Sequence, residues 1–326
     1  MVLCAVVEVR YAERLRKYLK SANLLLRGYA PSKTYRKGFV LFPVARKFRS
    51  KFTPSIEFTG AKLKKSEAKP EPILPFDVIG DICIIKAGKR GISYSREAKK
   101  IRLLHTGIRR VFVKVGQTEG VERVPRLRLV DGGGTSLTLH RENGLGFWID
   151  VTRAYFNPRL NVERLRIAQM VRRDETVLDM FAGVGPFGLT IAKFSGASVD
   201  CVDVNNYACA SLKKNVVLNG LEELVRVFCQ DIRDFQNKEA YDRIIMNLPF
   251  GSLQFAQLAL RLGKPNCKIH MYVGGIDRSV LAKTLLDAFR SKSGRVSLDK
   301  TTPVFEYATR KWIFRVDVGV SEHKSA

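Results

Sequence analysis

From residue 176 onward, short apolar runs alternate with mixed, helix-compatible stretches at regular intervals. Apolar runs bounded by glycine, proline or charge read as strands buried on both faces, the pattern of a parallel sheet with crossover helices. The candidate strands are residues 176–181, 198–204, 225–231, 242–248, 267–274, 295–302 and 311–318. Seven strands with intervening helices predict a doubly wound α/β domain. Its last two strands, GRVSLDKTTP and TRKWIFRVDVG, pair as an antiparallel hairpin.

Earlier in the chain the pattern is different. LCAVVEV and GFVLFPV read as strands, and Leu15, Tyr18 and Leu19 recur at helical spacing over residues 12–22. These make residues 1–60 a small α+β module. Residues 61–75, AKLKKSEAKPEPILP, lack a core pattern and read as a linker. Residues 76–152 read as a second α/β unit. DVIGDICIIK is one strand, and SYSREAKKIRLLHTG is a helix capped by Ser93 or Ser95. RRVFVKVG, RLRLVDGG, SLTLHRENG and LGFWIDV follow as strands with one packed and one wet face. Residues 153–175 connect this unit to the sheet domain, in one piece with it. There Asn161 is placed as a helix N-cap, Glu163 in the first turn, and Leu165, Ile167, Ala168 and Val171 on the core side.

Charge changes the picture. The 326 residues carry a formal charge of +26, and residues 1–75 hold 17 lysines and arginines against 5 acids. Excess charge of this size points to a polyanionic partner, nucleic acid first; a solvated basic surface is the other reading. Tyr29, Lys33, Tyr35, Arg36 and Lys37 mix phosphate-binding cations with rings that suit stacking, or core edges. The six cysteines form no Cys-x-x-Cys pair, and Cys201 and Cys229 fall inside expected core strands. Neither a disulfide framework nor a metal site is expected. No apolar run is long enough to span a membrane, and the N-terminus lacks a signal-peptide layout, so a cytoplasmic protein is expected.

Candidate chemistry gathers at the strand tips. TVLDMFAGVGP turns from strand to helix through Gly183 and Gly185, which let backbone amides approach a ligand at a positive helix end. Asp203 ends the second strand, where a carboxylate suits a ribose diol. Asp231 ends the third, and Asn247-Leu248-Pro249-Phe250 the fourth. Four tips at one edge make one crevice. A glycine pair alone would fit any dinucleotide-binding α/β domain.

DMFAGVGPF resembles the first motif of class I (Rossmann-like) S-adenosylmethionine-dependent methyltransferases. Asn247-Leu248-Pro249-Phe250 resembles the Asn-Pro-Pro-aromatic tetrad of those that act on planar nitrogens. Together with Tyr155-Phe156-Asn157-Pro158-Arg159-Leu160 and Glu163-Arg164, these motifs resemble the archaeal and eukaryotic tRNA (guanine-37, N1)-methyltransferases over nearly the whole chain. The resemblance implies a class I domain with a seven-stranded mixed sheet, preceded by two smaller RNA-binding domains. It implies a monomer that takes S-adenosylmethionine as donor and tRNA as substrate. The first domain would grip the outer corner of the tRNA and the others the anticodon stem-loop.

The resemblance also assigns roles. Glu163 is the expected base for the guanine N1 proton, although a carboxylate in a first helical turn also complements the helix dipole. Arg123, or Arg126 as second choice, would stabilise charge on O6; Pro125 disturbs the family spacing here. Tyr155 and Pro158 would shape the donor and guanine pockets, and Asn247 and Pro249 the guanine edge and methyl donor. Phe181, Ala182, Gly183, Val184 and Gly185 would cradle the methionine part of the donor. Asp203 would bind the ribose, with Val204 and Asn205 beside it. Asp231 and Ile232 would face the adenine, while Asp231 also reads as a helix cap. Three alternatives stand: an aminocarboxypropyl transferase of the wybutosine pathway, a dual-specificity member that also methylates C7 of the tricyclic base (on which Phe250 bears), and a non-catalytic tRNA-binding protein.

Overall fold

The structure, a computed structural model, describes residues 1–26, 29, 31–32, 36–48, 56–63, 74–86, 92–116, 124–236, 239–275, 284–285, 287–289 and 295–321. Lys33, Tyr35, Arg123 and most of the expected linker lie outside the described residues. The chain divides into two units, Met1–Ile73 and Leu74–Ala326.

In the first unit, β1 (Val2–Glu8) is the centre of a three-stranded antiparallel sheet with β2 (Phe39–Pro43) and β3 (Glu57–Ala61). Helix α1 (Val9–Ser21) follows β1 without a loop, so it begins earlier than the apolar spacing indicates. Its Leu15 and Leu19 pack on Ala5, Val7, Val40 and Phe42 to form a core of this unit's own.

The second unit begins with β4 (Phe76–Ile79), β5 (Ile82–Ile85), α2 (Tyr94–Leu104), β6 (Arg110–Lys114) and β7 (Leu127–Asp131). DVIGDICIIK is therefore a hairpin, not one strand. Gly80 turns it at φ +56°, and a Cβ there would sit 2.2 Å from Thr138 Oγ1. The loop is Gly80-Asp81, which breaks the apolar run and suits a two-residue hairpin turn. Ser93 occupies the N-cap of α2 without a side-chain capping bond. Next, β8 (Leu137–Glu142) and β9 (Leu145–Asp150) form an antiparallel ribbon. Its two-residue turn, Asn143-Gly144, has positive φ at both positions, as tight hairpins require.

The main sheet contains β10 (Thr176–Asp179), β11 (Ser198–Asp203), β12 (Val225–Cys229), β13 (Tyr241–Met246), β14 (Gly263–Gly275), β15 (Arg295–Ala308) and β16 (Lys311–Ser321). Their spatial order is β12-β11-β10-β13-β14-β16-β15, with β16 antiparallel to both neighbours. Strand order reverses between β10 and β13, which opens a crevice at their C-terminal ends. Helices α3 (Asn161–Ala168), α4 (Pro186–Ser195), α5 (Asn206–Leu218) and α6 (Ala256–Leu262) accompany the sheet. Adjacent residues feed different cores: Val177 joins Phe147, Ile167 and Leu189, while Leu178 joins Val202, Ile244 and Phe314. Among the described residues no helix is long and apolar enough to cross a membrane.

Several details differ from the sequence expectation. β15 runs on past residue 302 to Ala308, through Pro303. Register shifts on either side of Pro303 accommodate a residue that has no N–H to donate. Cys229 is exposed rather than in the core, because β12 is the edge strand and ends there. Asn161 is not the N-cap of α3 but its first residue. A single 3₁₀ turn, Pro158–Leu160, precedes α3 and is capped by Asn157, whose Oδ1 accepts from Arg159 N at 3.1 Å. The buried side of α3 carries Glu163 and Arg164 beside Ile167 and Ala168, and Leu165 is only partly buried.

Candidate active site

The tips of β10, β11, β12 and β13 wall a cavity of about 510 Å³, within the range of small-molecule sites. Phe181, Ala182 and Gly183 follow β10, Asp203 ends β11 and Val204 follows it, Gln230, Asp231 and Ile232 follow β12, and Asn247 and Leu248 follow β13. Tyr155, Phe156, Leu160 and Arg164 close it from the segment before the sheet. A second depression of about 420 Å³, beside Asp81, Arg110 and Trp148, lies away from these tips. There Thr138 and Arg110 both donate to Asp81 Oδ1 at 2.6 and 2.5 Å, so the Asp81 and Arg110 charges are paired with each other.

The β10–β11 corner is held by Asp203. Its Oδ2 accepts from Gly183 N at 2.6 Å and its Oδ1 from Asn205 N at 2.9 Å. These two amides orient the carboxylate at the strand tip, where an acidic side chain suits a ribose diol. Gly183 has φ +55°, and a Cβ there would have no neighbour closer than Tyr155 O at 3.8 Å. Gly185 is different. At φ +90°, a Cβ would lie 2.1 Å from Leu189 Cδ1 and 2.2 Å from Leu212 Cδ1. Gly183 keeps open space in the cavity, whereas Gly185 lets α4 start against α5.

Of the expected site residues, Tyr155, Phe181, Ala182, Gly183, Asp203, Val204, Asn205, Asp231, Ile232 and Asn247 line the cavity. The side chain of Asn205 is nevertheless spent on structure. It caps α5 through Tyr207 N and Ala208 N, and donates to Arg153 O at 2.8 Å. Asp231 holds Arg233 through its backbone N and guanidinium, a cap-like turn, while still facing the cavity. Val184 and Gly185 do not line it. Val184 is in the core, and its carbonyl accepts from Asn215 Nδ2 at 3.0 Å. Pro158 starts the 3₁₀ turn, and Pro249 O accepts from Gly274 N at 2.9 Å; neither reaches the wall. Arg126 immediately precedes β7, with its carbonyl accepting from Val115 N at 2.9 Å, and is also absent from the wall. Leu160 and Arg164, missed in the sequence, sit four apart and so share a helical face. Gln254 and Phe255 also line the cavity; the tilted ring contact of Phe255 with Phe181, at 5.1 Å, is tertiary and has no local sequence signal.

Two buried charge networks support the site. Arg164 Nε and Nη2 donate to Glu142 at 2.7 Å each, tying α3 to the β8–β9 ribbon. Burial would raise the Glu142 carboxyl, but His140 and Arg164 together hold it below the usual range. Glu163, 8% exposed, accepts from Arg315 Nη1 at 2.6 Å and from the Tyr272 hydroxyl at 3.0 Å. It is close to the cavity in sequence but does not line it. Below the loop, Asp179 is 1% exposed and neither carboxylate oxygen makes a well-aligned hydrogen bond. Burial first, and then the charge of Asp203, push its carboxyl up to about 7; the amides of Phe181 and Gly188 offset part of this.

Comparison with known proteins gives a consistent set of relatives. Residues 138–298 match the TRM5/TYW2 methyltransferase domain. The chain is 32% identical over 341 residues to the tRNA (guanine(37)-N(1))-methyltransferase Trm5b of Pyrococcus abyssi, covering 98% of this chain and 100% of that protein. It is 28% identical over 246 residues to the tRNA(Phe) (4-demethylwyosine(37)-C(7)) aminocarboxypropyltransferase of Pyrococcus horikoshii, covering 74% of this chain and 87% of that protein. Among solved structures, the complex of aTrm5 and tRNALeu is similar with a TM-score of 0.69 at 27% identity, over 98% of this chain and 100% of that one.

Proposed function

The chain belongs to the TRM5/TYW2 methyltransferase family, and on that premise we propose that it methylates N1 of guanosine 37 of tRNA with S-adenosylmethionine as donor. The observation that carries this reading is the full-length match to an N1-methyltransferase. The aminocarboxypropyl transferase relative leaves about a quarter of the chain unmatched.

The cavity fits the donor. Asp203 offers an oriented carboxylate for the ribose diol, Val204, Ile232 and Phe255 offer apolar surface for the adenine, and the open Gly183 leaves room for the methionine part. When bound, the donor supplies an electrophilic methyl on a sulfonium whose leaving group is neutral. Guanine N1 carries a proton and is not nucleophilic until it leaves. Glu163 accepts that proton. Asn247, at the tip of β13, presents an amide that can read the base edge. Charge then develops on O6, where a guanidinium stabilises it; Arg123 is the first choice and Arg126 the second. The base must leave its stack to reach the site, at a cost of roughly a few kcal/mol, so most RNA contacts serve positioning. The basic surface of the chain suits the RNA backbone.

The test is a transfer assay on unmodified tRNA transcripts carrying guanosine or adenosine at position 37. Donor is labelled either on the methyl or on the carboxypropyl carbons, and nucleosides are resolved by mass. 1-Methylguanosine from the first transcript alone is the expected result. Carboxypropyl label alone would assign the second activity of the family. A pre-modified transcript bearing the tricyclic base tests for C7 methylation in the same assay. No transfer, with tRNA bound and no donor-induced thermal stabilisation, would leave a binding protein.

A further inference from the structure

The register of the main sheet sets a row of polar side chains under Glu163. Arg315 on β16 lies opposite Tyr272 on β14 and Thr302 on β15, and Asp317 lies opposite His270. Residues two apart on a strand share a face, so Arg315 and Asp317 point the same way. Arg315 interrupts an otherwise apolar buried run of Ile313, Phe314, Val316 and Val318. Each of its three guanidinium nitrogens donates within this row. Nη1 donates to Glu163 Oε1 at 2.6 Å, Nε to Asp317 Oδ1 at 2.8 Å, and Nη2 to Thr302 Oγ1 at 3.2 Å.

The row continues into the core with fixed polarity. Arg243 Nη1 lies 2.7 Å from His270 Nε2, and a guanidinium cannot accept, so Nε2 accepts and Nδ1 carries the proton. That Nδ1–H donates to Asp317 Oδ1 at 2.6 Å. Arg243 is in turn held by both oxygens of Glu175, at 2.7 and 3.0 Å. Every donor in the chain is thus aimed, and its end is Glu163.

The two oxygens of Glu163 are unequal. Oε1 takes both buried donors, Arg315 and Tyr272. Oε2 accepts one longer bond, 3.4 Å, from Nε of Arg166, whose side chain is partly exposed and can yield to a base. Arg315 itself is 1% exposed and so does not reach a bound base. We propose that Arg315, with Tyr272, is a positioning residue for methyl transfer: it pins Oε1 of Glu163, so that Oε2 is the oxygen presented to the guanine N1 proton. This rests on the reading of Glu163 as the base. A glutamate without the pin has free side-chain torsions, and a displacement of about 1 Å at a proton-transfer site costs roughly a hundredfold in rate.

The test is a double-mutant cycle on the full chain: Glu163→Gln, Arg315→Met and both together, with Arg315→Lys and Tyr272→Phe as companions. Single-turnover methyl transfer to a guanosine-37 transcript is read beside donor affinity, tRNA affinity and melting temperature. Arg315→Met is expected to slow transfer roughly ten- to hundredfold while both affinities stay within about twofold. Arg315→Lys restores part of the rate. In the Glu163→Gln background, Arg315→Met costs less than about twofold more, because the pinned group is gone. An unchanged rate in folded Arg315→Met, or a loss that adds fully to that of Glu163→Gln, overturns the proposal. If Arg315→Met does not fold, Tyr272→Phe decides: a severalfold loss that vanishes in Glu163→Gln supports the pin, and an unchanged rate overturns it. A Glu163→Gln variant with normal rate instead removes the base itself, which separates the two failures.

Discussion

Asp179 and Glu163 are both buried carboxylates near the cavity, and their surroundings give them opposite characters. Glu163 is met by well-aligned donors; Asp179 has none so aligned, and its carboxyl is pushed up to about 7. An acid whose pKa is raised by folding holds its proton longer in the native state than in the unfolded chain. Between about pH 4 and 7 the native state therefore binds more protons, and stability falls as pH rises through that window. Asp179→Asn keeps the shape of the neutral acid and removes this penalty. Its stability should match the parent near pH 4 and exceed it at pH 8, by roughly 4 kcal/mol at most, with a correspondingly higher melting temperature. Thermal melts of the donor-free protein at both pH values check this, and an equal gap at both would mean that Asp179 does not titrate there. Glu163→Gln should act on chemistry instead. Transfer should fall by roughly 10²–10⁴, with donor and tRNA affinity kept, as expected for loss of a general base. An unchanged single-turnover rate would remove the role.

At the scale of elements, Gly183 and Gly185 look interchangeable in the sequence, since both sit in one turn and both take positive φ. Their surroundings separate them, and so should their variants. Gly183→Ala meets open space and should lose about 1–2 kcal/mol of stability, the cost of a left-handed non-glycine residue, with donor affinity falling as the methyl enters the cavity. Gly185→Ala adds clashes with Leu189 and Leu212 and should destabilise by about 3 kcal/mol or more. Denaturant melts with and without donor distinguish the two; equal losses would mean that α4 can shift away from α5. The same contrast explains what could be read beforehand. Apolar spacing places the strands of the main sheet because burial on both faces leaves long apolar runs, and the tips at Asp203 and Asn247 follow from where those runs stop. By itself it does not reveal the hairpin at Gly80, which is marked instead by turn chemistry, the Gly80-Asp81 pair between two short apolar runs. Nor does it predict that β15 continues past Pro303, because strand partners can absorb a proline by shifting register. Phe255 and Arg315 are brought in by tertiary folding, so no local pattern marks them as part of the site or its support.

At the scale of the molecule, charge and core divide differently along the chain. The first unit has its own core around Leu15, Leu19 and Phe42, and the donor cavity is built wholly from residues of the second. Residues 1–75 nevertheless carry 17 lysines and arginines against 5 acids. Donor binding and RNA binding should therefore be separable. A chain beginning at Leu74 should keep its donor-induced thermal stabilisation and bind tRNA more weakly. Each phosphate neutralised releases counterions, so log affinity falls with log salt by about 0.7–0.9 per contact. If the basic first unit touches phosphates, its removal takes those contacts away, and the salt slope should become shallower as the affinity drops. Fluorescence-detected tRNA titrations between 50 and 200 mM salt, a range over which several contacts produce large changes, would measure both quantities. A drop in affinity with an unchanged slope would mean that the first unit contributes by shape or stacking rather than charge. An unchanged affinity would assign RNA binding to the second unit alone. Loss of donor stabilisation in the truncated chain would mean instead that the second unit needs the first in order to fold.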